Sequence, residues 1–261
     1  MCVKKMKIAS FNVNSIRARL PIVIDWLTKE SPDVLCVQEL KCQDQDFPQK
    51  AFQEINYNMA FKGEKSYNGV AIFSRMPIDD IHIGFDNKET YGSRLITATI
   101  NNTPIINTYV PQGFAPDSEK FIEKLEWFER LHEFLNKNYD PEKPLLWLGD
   151  FNVAPEPIDV HDPEKLYGHV GYHPDEHAAL KRLMDWGFVD IFRKHKPEPG
   201  RFTFWDYRIK NGVKRNLGWR IDHICATKPL ARKSVDCWVD MGPRLKEKPS
   251  DHTPVVAEFE V

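Results

Sequence analysis

LLWLGDFNVAP, residues 145–155, opens on four large apolar residues and stops at Gly149, Asp150, Phe151 and Asn152. An apolar run of this length, bounded by turn residues, reads as a strand buried on both faces. It sets a carboxylate, Asp150, and a carboxamide, Asn152, at the mouth of a rigid strand, where the sites of layered folds collect. Gly-Asp and Asn-Val-Ala-Pro are also ordinary turn chemistry, and alone the stretch reads more simply as a turn. The balance reverses because other apolar runs end the same way. Residues 7–12 alternate toward a strand that stops at Asn12, and the short buried run 34–37 delivers Gln38, Glu39 and Lys41. Strands predicted over 221–226 and 255–261 add Asp222 and, just ahead of the last one, Asp251 and His252.

Working outward, apolar spacing predicts helices over 19–29, 45–55, 118–138 and 175–186, with Ser118 as an N-cap. Residues 56–60 read as extended, and 70–73, 95–100, 105–110 and 234–239 as strands. The loop 154–174, rich in Pro, Asp and His, is long enough to be functional. Strand-rich halves with interleaved helices predict an α/β sandwich, two sheets face to face with helices outside. SFNVN and GDFNVAP echo each other, a short hint of a duplicated architecture. No Pro/Gly/Ser-rich linker divides the chain, so residues 1–261 are expected to form a single domain.

Composition excludes several classes. With 41% apolar and 28% charged residues and no membrane-length apolar run, the chain reads as an ordinary soluble protein with no membrane partner. Lys4, Lys5 and Lys7 have no apolar segment behind them that would make a signal peptide. Five cysteines, Cys2, Cys36, Cys42, Cys225 and Cys237, are an odd number without C-x-x-C spacing, which fits a reduced, cytoplasmic protein. The net charge of -2 hides a segment, residues 193–220, with nine Lys and Arg against Glu198 and Asp206. Phe202, Phe204, Trp205, Tyr207 and Trp219 lie among those charges. That composition suits nucleic acid, and equally a solvated loop whose aromatics fold back into the core.

The strand ends together carry Asn12, Glu39, Asp150 with Asn152, Asp222, and Asp251 with His252. Hard carboxylate oxygens suit Mg²⁺ or Mn²⁺, whereas the scattered cysteines and dispersed histidines do not suit zinc. Each acidic residue alone reads as a turn or cap residue, and only their joint placement argues for a site.

FNVN, QELK, YNGVAIFS, NTYVPQG, LGDFN, GWRIDH and SDHTPV, in that order, resemble the exonuclease III family of apurinic/apyrimidinic (AP) endonucleases over nearly the whole chain. LGDFN and SDH alone are similar to the wider DNase I-like superfamily of metal-dependent phosphodiesterases and phosphatases. The fold so implied is a four-layered α/β sandwich, two packed mixed β-sheets flanked by helices. FTFWDYR with GWRIDH resembles the segment that frames an abasic-sugar pocket.

The resemblance implies Glu39 as principal metal ligand, supported by Asn12 and Asp251. It implies Asp150 to orient or deprotonate the attacking water, Asn152 to hold that water or the phosphate, and Tyr109 to contact the phosphate. His252 would bind a nonbridging oxygen with its ring fixed by Asp222, and Phe204, Trp219 and Ile221 would wall the pocket. The implied reaction is hydrolysis of duplex DNA 5′ to abasic sites, with 3′–5′ exonuclease and 3′-end cleaning. Mg²⁺ or Mn²⁺ is the expected cofactor, and the expected enzyme is a cytoplasmic, nucleoid-acting monomer of bacterial type, given Asn14 and Gln112-Gly113-Phe114. The rival readings are a 3′-end exonuclease with little AP activity, a relative acting on phosphoinositide, sphingomyelin or RNA, and a catalytically silent DNA binder. Tyr167 and His169 either restrict the pocket or sit harmlessly on the surface. Phe114 reads as a core aromatic, with a wedge into the duplex as the rarer alternative.

Overall fold

Two six-stranded sheets face each other in the computed structural model, which describes residues 5–85 and 91–260; Cys2 and Val261 lie outside that range. The first sheet takes β1 (Lys5–Asn12), β2 (Val34–Gln38), β3 (Asn58–Lys62) and β4 (Val70–Ser74) from the front of the chain. The second takes β5 (Asp79–Ile83), β6 (Leu95–Ile100), β7 (Thr103–Tyr109), β8 (Leu146–Asp150), β9 (Phe188–Asp190) and β10 (Asp222–Thr227). The chain then returns to complete the first sheet with β11 (Ser234–Val239) and β12 (Val255–Glu260). The orders are β11-β12-β1-β2-β4-β3 and β5-β6-β7-β8-β10-β9.

In each sheet only the central pair is parallel, β1 with β2 and β7 with β8. A parallel pair needs a crossover, and long helices supply both. α1 (Ile16–Glu30) joins β1 to β2, and its Ser15 cap accepts from the Ala18 backbone N–H. A second helix of twenty residues, Glu119–Asn138, joins β7 to β8. The two sheets thus repeat one topology, β1–β4 matching β7–β10 and β12 matching β6. A duplicated topology, only hinted at in the sequence, is present, yet SFNVN closes β1 and GDFNVAP closes β8, which are not equivalent strands, so the echo did not mark it.

β8 is buried on both faces, as its unbroken apolar run predicts. Leu146 and Leu148 point between the sheets with Ile8, Cys36 and Ile224. Leu145 and Trp147 point outward, under Phe128 and Leu131 of the long helix. Between the sheets, Gln38 Nε2 donates to Asn107 Oδ1 at 2.7 Å, and Asn107 Nδ2 donates to the Val37 and Ala71 carbonyls. A buried amide pair leaves unpaired groups if the sheets slide, so it pins their alignment.

Several local expectations change. The helix read over 45–55 shrinks to α2 (Gln49–Gln53), because Phe47-Pro48 interrupts it. β5 is largely exposed and β9 is three residues long, too short for a pattern. The helix joining β7 to β8 is α3; α4 (Pro163–Leu166) breaks the 154–174 loop, and α5 (Pro174–Asp185) packs beside α3. α6 (Ile191–His195) and α7 (Lys228–Ala231) were not predicted. Among the described residues no helix is long and apolar enough to cross a membrane. Cys36, Cys42, Cys225 and Cys237 are free and buried.

Candidate active site

Both parallel pairs end on one edge of the sandwich, and the antiparallel β10 and β12 begin there. Asn12 ends β1, Glu39 follows β2, Tyr109 ends β7, Asp150 ends β8, Asp222 begins β10, and Asp251 and His252 precede β12. In the ladders Asp150 stands opposite both Tyr109 and Asp222. Gly149 makes this approach feasible: a Cβ there would lie 2.0 Å from the Thr108 carbonyl oxygen. Glu39 and Asn152 both adopt left-handed backbone, φ 57° and 52°, a conformation stored at functional turns at the cost of strain.

One fully buried amide joins the two sheets at this edge. Asn12 Nδ2 donates to Glu39 Oε1 and to Asp150 Oδ2, both at 2.8 Å. Asp150 Oδ1 accepts from the Asn152 backbone N–H at 2.9 Å, and Asn152 Nδ2 donates to the Val110 carbonyl. Lys41 Nζ lies 2.6 Å from Glu39 Oε2 and donates to Asn14 Oδ1, while Asn14 Nδ2 donates to Asp251 Oδ1 at 2.9 Å. Burial opposes the charge on Glu39, but Lys41 outweighs it and holds the carboxyl below its ordinary range.

His252 Nδ1 sits 2.8 Å from Asp222 Oδ2, which turns Nε2 into the site, 3.9 Å from Asp150 Oδ2. Burial disfavours an imidazolium here, yet the Asp222 and Asp150 carboxylates prevail and raise His252 to about 10. Burial, and then Asp222, lift Asp150 to about 7. Tyr109 is pushed well above the usual phenol value by burial and by Glu39 and Asp150, so its hydroxyl is a neutral donor. The Arg94 guanidinium lies 4.7 Å over the Tyr109 ring.

Among the described residues, Glu39, Asp150 and His252 offer ligand atoms within 4.8 Å of one another. Two hard carboxylates at that spacing fit a divalent cation of the Mg²⁺ or Mn²⁺ type. Asn12 braces the two carboxylates through its N–H groups, and Asp251 lies outside the cluster, held by Asn14.

The cluster opens into a cleft of about 500 Å³ that runs from Glu39, Tyr109 and Asn152 past His252 to Phe204, Trp219 and Ile221. Phe204 and Trp219 exchange backbone hydrogen bonds at 2.9 Å in both directions, and the Phe204 ring centroid is 4.9 Å from that of His252. All eleven sequence-predicted site residues are therefore at one edge, the polar ones at the strand mouths and the apolar ones along the adjoining wall.

The structure decides two points that the sequence left open, Tyr167 and the basic segment, and overturns one, Phe114. Leu166, not Tyr167, lines the cleft; Tyr167 is 62% exposed. Phe114 is 72% exposed rather than core, because its left-handed backbone, φ 60°, turns it outward after Gly113. In the basic segment Phe202 and Trp205 are buried, and Arg193 and Arg220 are spent on a buried pairing with Asp159. Arg201, Arg208, Lys210, Lys214 and Arg215 remain exposed to solvent.

Three buried charged groups were not foreseen as such from sequence: Lys124 and Glu176, to which it gave no role, and Arg220, counted there among the basic residues suited to nucleic acid. Lys124 carried a signal: it interrupts the apolar stripe of Phe121, Phe128 and Leu131 on the inward face of α3.

Comparison with known proteins agrees with this geometry. Residues 9–252 match the model of the endonuclease/exonuclease/phosphatase family. Exodeoxyribonuclease III of Haemophilus influenzae is 36% identical, over 97% of this chain and 100% of its own. The solved structure of an AP endonuclease from Archaeoglobus fulgidus superposes with a TM-score of 0.95 at 50% identity, covering 98% of this chain and 100% of that one. A 3′ phosphatase from Neisseria, bound to a product DNA hairpin, superposes with a TM-score of 0.92 at 39% identity over 98% and 100%.

Proposed function

The chain belongs to the endonuclease/exonuclease/phosphatase family and is a divalent-metal-dependent hydrolase of the exonuclease III and AP endonuclease type, and on that premise we propose that it cleaves duplex DNA 5′ to abasic sites and trims or cleans 3′ ends. The observation that carries the reading is the single cleft in which a phosphodiester-hydrolysing cluster adjoins an aromatic wall. An abasic sugar turned out of the helix, lacking a base, fits against Phe204, Trp219 and Ile221 when its phosphate lies between Tyr109, Asn152 and His252.

Phosphodiester hydrolysis needs an activated water, neutralised phosphoryl charge and a stabilised leaving alkoxide. A bound Mg²⁺ or Mn²⁺ would supply charge for the last two. Glu39 is the first donor assigned to it, with Asn12 bracing that carboxylate and Asp251 at the rim. Asp150, held in one orientation by Asn12 and the Asn152 N–H, accepts the proton of the attacking water. His252, its Nδ1–H donating to Asp222, presents Nε2 to a nonbridging phosphate oxygen. Tyr109 donates to the same phosphate from the other side. The exposed Lys and Arg of residues 201–215 offer a surface for the flanking backbone. We assign these steps to a monomer acting on nucleoid DNA in the cytoplasm.

Two end-labelled duplexes test the reading, one with an internal tetrahydrofuran abasic analogue and one intact with a recessed 3′ end. With Mg²⁺ the expected result is incision 5′ to the analogue and shortening of the recessed end, both lost in EDTA. Shortening without incision would move the function to 3′-end processing, with Leu166 in the cleft wall the first residue to substitute. Retention of DNA with no cleavage in either buffer would make the protein a binder only.

Trp219→Ala is expected to lower kcat/KM at the abasic analogue by roughly 5- to 150-fold, the equivalent of about 1–3 kcal/mol of lost stacking. The Mg²⁺ concentration giving half the maximal rate should not move. A loss of equal size on the recessed 3′ end would show that Trp219 does not read the abasic site.

A further inference from the structure

Behind the cleft, where no substrate reaches, Lys124 of α3 and Glu176 of α5 form an ion pair with both side chains fully buried. Desolvating two charges is expensive, and apolar residues of the same volume commonly serve stability as well or better. Apart from the bond between them, their contacts go to loop backbone. Lys124 Nζ donates to the Asn152 carbonyl at 2.7 Å and to the Gln112 carbonyl at 3.4 Å. Glu176 Oε2 accepts from the Gly171 N–H at 2.7 Å and the His173 N–H at 3.1 Å. Gln112, Asn152 and Gly171 all line the cleft.

The pair therefore ties together three loops of the cleft, adding a buried link to the Asn152–Val110 and Ala154–Gly171 hydrogen bonds that join them in pairs. The tolerance between them is small: a Cβ on Gly171 would lie 3.3 Å from the Trp219 ring and 3.4 Å from the Asn152 carbonyl. The Gly171 carbonyl in turn accepts from the Ala154 N–H at 2.7 Å. A shift of a few tenths of an ångström at Gly171 or Asn152 reaches Trp219 on one side and the Asn152 side chain on the other, because close-packed interiors transmit rather than absorb displacement.

We propose that Lys124 and Glu176 are positioning residues that set the separation of Asn152 from the Trp219 wall, and with it the selectivity of the cleft for an extruded abasic sugar over an ordinary 3′ terminus. This rests on the function argued above. An extruded sugar must fill the space between the two walls, so its turnover depends on their spacing. A terminal nucleotide with a free end needs the phosphate-binding groups but a less closely defined wall.

The test compares wild type with Lys124→Met/Glu176→Leu, which removes both charges at similar volume, and with Lys124→Met/Glu176→Gln, which keeps an acceptor for Gly171 and His173. Both duplexes are assayed with Mg²⁺ at a temperature where every protein is folded by circular dichroism. The Met/Leu variant is expected to lose at least tenfold in kcat at the abasic analogue, and less than threefold at the recessed 3′ end. The Met/Gln variant should recover part of the lost ratio. Equal losses on the two substrates in the Met/Leu variant, or wild-type values on both, would overturn the proposal. Failure of the function itself shows separately, as absence of abasic incision by the wild type. The proposal falls with it, since the expected change in ratio then has no wild-type incision to start from.

Discussion

Asp150→Asn is expected to lower turnover by about 10²- to 10⁴-fold, the range of a lost general base, while duplex affinity stays within about threefold. The change is isosteric at a site 1% exposed, so the cleft keeps its shape. One oxygen remains to accept the Asn152 N–H, and the new amide faces Asn12 Nδ2, which has donated to Asp150 at 2.8 Å. Losing that buried bond costs about 1–3 kcal/mol of stability, too little to unfold a domain of ordinary stability. The proton acceptor for the attacking water is lost outright. Single-turnover cleavage and a binding isotherm on the abasic duplex, measured on the same preparation, check this. Affinity falling in step with rate would make Asp150 a structural residue.

Arg220→Leu is expected to lower stability by about 3 kcal/mol, or about 6–12 °C in Tm, because it strands buried carboxylates. Arg220 is fully buried between Trp219 and Ile221 of the pocket wall, and its guanidinium meets Asp159 at 2.6 Å and Asp190 at 2.8 Å. Arg193 still reaches Asp159 after the substitution, which places the loss at the lower end of the range for a broken buried pair. The pH dependence has a definite sign. Burial alone would raise Asp159, but Arg220 and Arg193 outweigh it and hold its carboxyl below the usual range; Asp190 is also held low. A depressed carboxyl contributes stability that is fully present above its unfolded pKa, about 4, and is lost as pH falls through the folded value. The gap between wild type and variant should therefore be widest near neutrality and narrow progressively as pH falls below about 4. Melting curves from pH 3 to 8 would show it, and a gap that widened in acid would contradict the assignment.

The strand 146–150 was legible because its apolar run has no alternation, which only a doubly covered strand requires. The same logic located Asn12, Glu39, Asp222 and His252, since each lies at or within three residues of the end of a buried run. Phe114 was misread because the tendency of aromatics to be buried does not register backbone conformation, and its left-handed turn decides where the ring points. The nine basic residues of the 193–220 segment looked alike in sequence, yet Arg193 and Arg220 neutralise Asp159 inside the protein while Arg208 and Lys214 stay in solvent. Partners that lie thirty or more residues away leave no local trace.

Hydrophobic periodicity and strand-end polarity, which are properties of neighbouring residues, determined the layered fold, the ring of site residues and the kind of ion that suits them. The tertiary structure alone decided that Asn12 bridges Glu39 and Asp150 across two sheets, that Asp222 turns His252 toward Asp150, and that Lys124 and Glu176 tie three cleft loops together. Those are distances between residues remote in the chain, and they exist only once the packing of one sheet on the other has brought the strand ends together.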